Sequence, residues 1–135
     1  MAVLVYNFNM NGEQQLDILA IGDVVNDAFI KIKDASVHCK IDNTACELCM
    51  SFGDKVPYES VEEIFGVGNS ANAAVSASRL GLQSALLAAV GNDSNGKKCL
   101  ESLAKNGVET GYIAIEKEFD TNYHYVLWYD VDRTI

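Results

Sequence analysis

The chain has 135 residues, of which 49% are hydrophobic and 21% charged, a balance typical of one globular domain. Its formal net charge of −9 argues against broad binding to nucleic-acid phosphates, which requires an excess of lysine and arginine. No apolar run approaches the roughly 18 residues of a membrane span, and the first residues lack the basic segment and long apolar core typical of a signal peptide. We therefore expect a cytoplasmic protein without nucleic-acid or membrane partners.

The first part of the chain predicts an extension followed by a buried strand. After a short apolar start, the first 15 residues become polar and asparagine-rich, and we treat residues 1–16 as an N-terminal extension. The compact apolar run of residues 16–21 predicts a parallel strand that ends at Gly22. The polar residues of 22–27 follow at the strand end, where open α/β sheets bind ligands, and residues 28–32 alternate as a further strand.

Residues 33–63 predict hairpin-like β structure inserted between this strand and a glycine-rich loop. Apolar residues alternate at 37–41 and again at 48–52, on either side of an Asp-Asn-Thr turn. Pro57 argues against a central strand at that position. Because the insert has no helix of its own, we expect one face to bury against a ligand, the core or another subunit.

The four cysteines are Cys39, Cys46, Cys49 and Cys99, and we expect their thiols to be reduced in an intracellular chain. Cys46 and Cys49 have the spacing of a metal-ligand pair, and His38 and Cys39 lie upstream, so a zinc-stabilised β module is one alternative. We favour small hydrophobic side chains on a half-buried β face, because a second well-spaced pair is missing, and we predict no metal site.

The glycine-rich stretch 66–74 is the most informative feature of the chain. Its glycines let the backbone approach a ligand closely, and the N–H groups that open a helix favour hydroxyl or phosphate oxygens. Asn69 or Ser70 is expected to cap a helix that runs to about Leu80 and ends at Gly81. The stretch predicts a site for a small oxygen-rich ligand; the alternative is an ordinary strand–turn–helix connection.

A second buried strand (84–90), a helix (97–105) and a short strand (112–115) follow. The helix is expected to bury Leu100, Leu103 and Ala104 and to stop at an Asn-Gly pair. An aromatic β segment then leads to a turn at Asp-Val-Asp, where a new strand begins. Strands that alternate with helices predict an α/β fold with a parallel sheet flanked by helices, beside a separate small β sheet.

Taken together, these motifs resemble the ribokinase-like (PfkB) family of carbohydrate and nucleoside kinases. The resemblance covers residues 17–135. It rests on Gly-Val-Gly-Asn-Ser-Ala-Asn-Ala-Ala at 66–74, Arg-Leu-Gly at 79–81 and Val-Gly-Asn-Asp at 90–93. It implies a partial ribokinase-like fold, the N-terminal portion of such an enzyme.

In domain terms, the resemblance implies an incomplete ribokinase-like domain with two parts. Residues 17–32 and 64–116 would form the α/β core, and residues 33–63 and 117–135 a small β lid. The reaction it implies is transfer of the ATP γ-phosphoryl group to a sugar hydroxyl, with ATP and Mg²⁺ as cofactors and a sugar or nucleoside as substrate.

The resemblance also implies four substrate-binding residues. By similarity, Asp27 accepts hydrogen bonds from two sugar hydroxyls, Gly68 and Asn69 lie along the sugar, and Asn72 adds an amide contact. The alternatives are that Asp27 is a surface acid at a strand end and that the Asn72 amide bonds nearby backbone.

The chain departs from the family pattern in two respects. Val67 stands where many relatives have glycine, and the Gly-Ala-Gly-Asp segment that carries the family's nucleotide site and catalytic aspartate does not occur. We therefore expect no catalytic residue here, and no activity without a C-terminal half.

The last residues predict a β ribbon without a return partner. We therefore expect the chain to be a fragment of a longer kinase, or to pair with a second copy through the exposed surface of the β lid. The main alternative is a non-catalytic sugar-binding or dimerising interaction protein.

Overall fold

The computed structural model of the chain describes residues 2–4, 16–42 and 44–135. The chain divides into two compact units. The first, called here the α/β unit, comprises residues 1–26 and 64–123, and the second, the β unit, comprises residues 27–63 and 124–135.

The described residues form two helices and eleven strands. In chain order these are β1 (Ala2–Leu4), β2 (Ile18–Ile21), β3 (Val25–Ile32), β4 (Ser36–His38), β5 (Glu47–Cys49), β6 (Tyr58–Val67), α1 (Asn69–Arg79), β7 (Ser84–Gly91), α2 (Ser94–Lys105), β8 (Val108–Glu109), β9 (Ile113–Glu116), β10 (Tyr123–Tyr129) and β11 (Asp132–Thr134).

The α/β unit is built on a mainly parallel sheet. Strand β2 pairs in parallel with β7, with Ile18 opposite Ser84, and β7 pairs in parallel with β8 at its start and with β9 at its end. The predicted parallel sheet with helices is therefore confirmed. At the edge, β1 pairs antiparallel with β2, although the sequence indicated an extension there. Of that predicted extension, residues 1 and 5–15 lie outside the described residues.

Helix α1 packs on the sheet through alanines spaced three residues apart. Ala71 and Ala74 are fully buried and Ala77 is 5% exposed, since small side chains let the helix axis approach the strands closely. The helix has no side-chain cap, and its N-cap is Gly68, so the prediction that Asn69 or Ser70 caps it is wrong. Its predicted end is confirmed: Leu80 is the C-cap and Gly81 has a φ of 91°.

Helix α2 starts three residues earlier than predicted, because the Asp93 carboxylate accepts a hydrogen bond from the Gly96 N–H at 2.7 Å and acts as its N-cap. Leu103 is fully buried as predicted, but Ala104 is exposed and Cys99 takes a core position instead. Neither helix of the described chain is long and apolar enough to cross a membrane.

The β unit contains the predicted hairpin and part of a larger sheet. Strands β4 and β5 pair antiparallel, with Val37 opposite Leu48, so the hairpin is confirmed with shorter strands. A four-stranded sheet has the order β11-β10-β3-β6. Its ten-residue strand β6, which begins directly after Pro57, was not predicted.

Two further expectations for this unit are wrong. Strand β11 pairs antiparallel with β10, with Leu127 opposite Thr134, so the aromatic ribbon does have a return partner. Strand β3 begins at Val25, so Asp27 lies within a strand rather than in a polar turn at a strand end.

The cysteines also differ from the expectation of four reduced thiols. Cys39 and Cys46 form a disulfide that closes the β4–β5 hairpin, whereas Cys49 and Cys99 are free. Two members of the cysteine set considered for zinc are thus bonded to each other. In the described part of the chain, no group of three or more His, Cys, Asp or Glu side chains is placed to hold a metal ion.

Candidate functional site

The glycine loop before α1 makes a close backbone approach that only glycine permits. Gly68 has φ 114° and ψ 161°, a conformation that L side chains rarely adopt. A Cβ on Gly68 would also lie 3.3 Å from the Asp23 carbonyl oxygen. The loop therefore passes directly over the turn that follows β2, within the α/β unit.

A buried hydroxyl ties these two segments together. Ser70 is 1% exposed, and its Oγ donates a hydrogen bond to the Asp23 carbonyl oxygen at 2.6 Å. Gly22 is equally close, since a Cβ on it would lie only 2.8 Å from the Ser70 Oγ. Sequence reasoning identified Ser70 only as a candidate cap, because a serine that bonds a carbonyl 47 residues away leaves no local pattern.

The start of α1 presents two amide side chains on one exposed face. Asn69 and Asn72 are exposed and three residues apart, whereas Ala71 and Ala74 face the core. The first turn contains no acidic residue, and the Asn72 N–H bonds the Gly68 carbonyl oxygen at 2.8 Å. The helix start thus combines partly positive N–H groups with two amides, a set that can bind hydroxyl or anionic oxygens.

Asp27 lies in the β unit, on strand β3, where it contacts a histidine of β10. The His124 Nδ1 is 3.2 Å from the Asp27 Oδ1, and the two side chains are 44% and 23% exposed. Sequence reasoning missed this pair; the only signal was that His124 falls in the alternating β pattern of residues 121–131. Because such a pattern does not specify the neighbouring strand, the partner of His124 could not be predicted from the sequence.

Asn26, the residue before Asp27, is not available to a ligand. It is 1% exposed, and its Oδ1 accepts a hydrogen bond from the Cys99 Sγ at 2.8 Å in the α/β unit. Burial raises the pKa of the Cys99 thiol, which keeps it protonated as a donor. Successive residues of a strand point to opposite faces, so burying Asn26 turns Asp27 the other way.

Three of the four predicted residues are therefore brought together by the α/β unit, namely Gly68, Asn69 and Asn72. The fourth, Asp27, belongs to the β unit and pairs with His124. That Asp27 converges with Asn72 on one ligand stays a prediction.

The Val-Gly-Asn-Asp motif has a structural role that the sequence did not reveal. Asp93 accepts hydrogen bonds from the Gly96 N–H, the Thr121 N–H and the Thr121 hydroxyl, at 2.7, 2.7 and 2.9 Å. The Thr121 Oγ1 in turn accepts from the Gly91 N–H at 2.9 Å. This network fixes the start of α2, the end of β7 and the segment that leads into β10.

The Asp93 carboxylate makes the stability of the protein depend on pH. The bond from the Gly96 N–H, and then that from the Thr121 N–H, hold its pKa below the ordinary value. A group with a lowered folded pKa contributes stability above its unfolded pKa and loses it as the pH falls through the folded one. We expect Asp93→Asn to lower the free energy of unfolding by about 1–3 kcal/mol at pH 7. The Gly96 N–H bonds Oδ1 and the Thr121 N–H bonds Oδ2, and in asparagine an NH₂ group, which cannot accept, replaces one of these two oxygens.

The measurement is urea unfolding at several pH values between 7 and about 3, around the ordinary carboxyl pKa. The difference between wild type and Asp93→Asn should shrink toward the acid end, where the wild-type carboxylate becomes protonated. A difference that stays constant over this range would contradict the assignment.

Comparison with known proteins places this fold and loop among kinases. The sequence profile of the pfkB family carbohydrate kinases matches residues 32–135. An ATP-dependent 6-phosphofructokinase of Thermoanaerobacterium thermosaccharolyticum is 25% identical over 111 residues, which span 80% of this chain and 28% of that protein.

Solved structures of the same fold class are similar to the chain. A nucleoside kinase of Methanocaldococcus jannaschii superposes with a TM-score of 0.66 at 17% identity, over 86% of this chain and 34% of that one. Arabidopsis thaliana ribokinase, solved with ribose and ATP, gives a TM-score of 0.65 at 19% identity, over 86% and 33%. The chain spans about a third of the length of these proteins.

Proposed function

Since the chain belongs to the pfkB family of carbohydrate kinases, we propose that it is the substrate-binding and lid segment of an ATP-dependent carbohydrate kinase. The complete protein would transfer a phosphoryl group to the hydroxyl of a sugar or nucleoside in the cytoplasm. The observation that carries the proposal is the family match over residues 32–135, which includes the glycine loop and the start of α1.

The chemistry of the named residues suits a polyhydroxylated ligand. Hydroxyl groups both donate and accept hydrogen bonds, so a carboxylate acceptor and amide or backbone N–H donors serve different edges of one ring. Asp27 supplies the acceptor, and Gly68, Asn69 and Asn72 supply a rigid backbone and two amides. Bonds to the carboxylate are charge-assisted and therefore the strongest of the set.

We assign ATP and Mg²⁺ to parts of the complete protein beyond these residues. Phosphoryl transfer needs cations that neutralise developing charge and a base beside the acceptor hydroxyl. Within residues 16–42 and 44–135 no metal-binding cluster of His, Cys, Asp or Glu occurs, and Asp27 alone does not fit that task. These residues would bind and orient the sugar, and this chain alone would be inactive.

In the complete protein, we expect Asp27→Ala or Asn72→Ala to raise the KM for the sugar with little change in the KM for ATP. Loss of one hydrogen bond to a charged group costs about 1.5–3 kcal/mol, which corresponds to roughly 10- to 150-fold. Because the Asn72 amide is neutral, the increase in the sugar KM for Asn72→Ala should lie at or below the lower end of this range. The measurement is a steady-state kinase assay across a panel of sugars and nucleosides.

The matched controls are Asp34→Ala, an exposed acid of the β unit, and Asn92→Ala, an exposed amide of the α/β unit. Both should keep the wild-type KM for the sugar. An unchanged sugar KM in Asp27→Ala and Asn72→Ala would refute the site assignment, and the absence of any phosphorylated product would refute the proposed reaction.

A non-catalytic protein that binds sugar or forms a homodimer is the second candidate. It is favoured by exposed large hydrophobic side chains in the β unit, namely Ile41, Phe52, Tyr58, Trp128 and Val131. Calorimetry with sugars and nucleosides on the 135-residue chain tests the binding function, and sedimentation tests the dimer. A monomer that gives no heat with any of these ligands would remove this candidate.

A further inference from the structure

The pair formed by Asp27 and His124 links the proposed sugar-binding residue to a neighbouring strand. Strands β3 and β10 are adjacent in the four-stranded sheet, and the His124 Nδ1 lies 3.2 Å from the Asp27 Oδ1. Lys31, four residues further along β3, instead forms an ion pair with Glu59 at 3.0 Å. Within this sheet, the His124 imidazole is thus the side chain that contacts the Asp27 carboxylate.

The chemistry of the pair determines where the histidine carries its hydrogen. An ionised carboxylate can only accept, so the His124 Nδ1 must be the donor. In the neutral imidazole, Nε2 is then left as an acceptor. The bond engages Oδ1 and limits rotation of the carboxylate, and Oδ2 takes no part in it.

We propose that His124 is a positioning residue for Asp27 and thereby determines how tightly the sugar hydroxyls are bound. The inference rests on the proposed function, because it assigns His124 to the same ligand site. By restricting rotation of the Asp27 carboxylate, the Nδ1–H bond prepares it for hydroxyl donors before the ligand arrives. A purely structural role would have little effect, since an ion pair this exposed stabilises a fold only weakly.

The first test uses the complete protein that contains this chain and compares two variants of the same residue. His124→Leu removes the donor, whereas His124→Asn retains an N–H group close to the Nδ1 position. We expect His124→Leu to raise the sugar KM about tenfold, the loss expected for one hydrogen bond, with the ATP KM unchanged. His124→Asn should recover most of that loss.

The matched control is His38→Leu, which removes the only other histidine of the chain. That exposed ring contacts the Ser36 Oγ at 3.1 Å, and its loss should leave both KM values unchanged. The inference is overturned if His124→Leu leaves the sugar KM unchanged, raises both KM values equally, or is not rescued by asparagine.

Asp27→Asn separates failure of this inference from failure of the proposed function. If Asp27→Asn leaves the sugar KM unchanged, the proposed site itself fails. If Asp27→Asn raises it and His124→Leu does not, only the role of His124 fails. In the Asp27→Asn background, His124→Leu should add little further change, and a full additional tenfold effect would show that the two residues act independently.

A spectroscopic readout is independent of kinase activity. The ring ¹⁵N shifts of His124 should report an Nδ1–H tautomer in the wild-type protein at neutral pH, and Asp27→Leu should shift the population toward Nε2–H. An Nε2–H tautomer in the wild type would overturn the inference.

Discussion

Replacing Leu103 by alanine is expected to lower the free energy of unfolding by about 3 kcal/mol, within the usual cost of a buried Leu→Ala change. Leu103 is fully buried in the core cluster of the α/β unit, with Leu86, Val90 and Cys99. Its Cγ also lies 3.3 Å from the point where a Cβ on Gly66 would be. The leucine therefore packs against the end of β6, the strand that leads to α1, and alanine would leave a cavity there.

Urea unfolding followed by circular dichroism measures this loss. Leu80→Ala is the matched control, because Leu80 is 83% exposed and its truncation should change stability by less than about 0.5 kcal/mol. Equal effects of the two substitutions would contradict the placement of Leu103 in the core.

Replacing Gly96 by alanine is expected to destabilise the protein by about 3 kcal/mol, at the upper end of typical overpacking effects. In most helices the same change is favourable, because alanine has the higher helix propensity. Here the new Cβ would overlap the Gly91 carbonyl oxygen and lie 2.9 Å from the Thr121 Oγ1. Since one of these atoms belongs to the backbone, the strand end or the helix would have to move.

The control is Gly111→Ala, whose Cβ would meet only the end of the flexible Glu109 side chain, at 2.9 Å. Thermal or urea unfolding of both variants gives the comparison. A Gly96→Ala protein as stable as wild type would mean that α2 does not pack against the end of β7 as described.

Local patterns were sufficient for most of the elements of the α/β unit. The apolar runs that predict β2 and β7, and the Asn-Gly stop at the end of α2, depend on neighbouring residues alone, and the structure confirms them. The start of α2 was misplaced, because an aspartate in an apparent loop acts as the cap. Strand β6 was missed because Pro57, which argued against a strand, lies just before it. At that position the proline nitrogen, which has no hydrogen to donate, does not have to form a hydrogen bond with a neighbouring strand.

The candidate site was only partly predictable. Gly68, Asn69 and Asn72 are close in sequence, so one turn of helix brings them together whatever surrounds them. The partners Ser70–Asp23, Asp93–Thr121 and Asp27–His124 are separated by 47, 28 and 97 residues, and no local pattern encodes such pairs. The Cys39–Cys46 disulfide was missed for a different reason: sequence spacing alone does not distinguish a bonded pair from two free thiols.

The amino-acid order alone determined the kinase family, the alternation of strands and helices, and the glycine-bearing start of α1, because these features are written in short contiguous segments. Only the tertiary structure decided which strand lies beside β3, which side chain orients Asp27, and which aspartate secures α2. Those outcomes depend on contacts between segments far apart in the chain, where packing and hydrogen-bond geometry select among many partners that local propensity leaves equivalent.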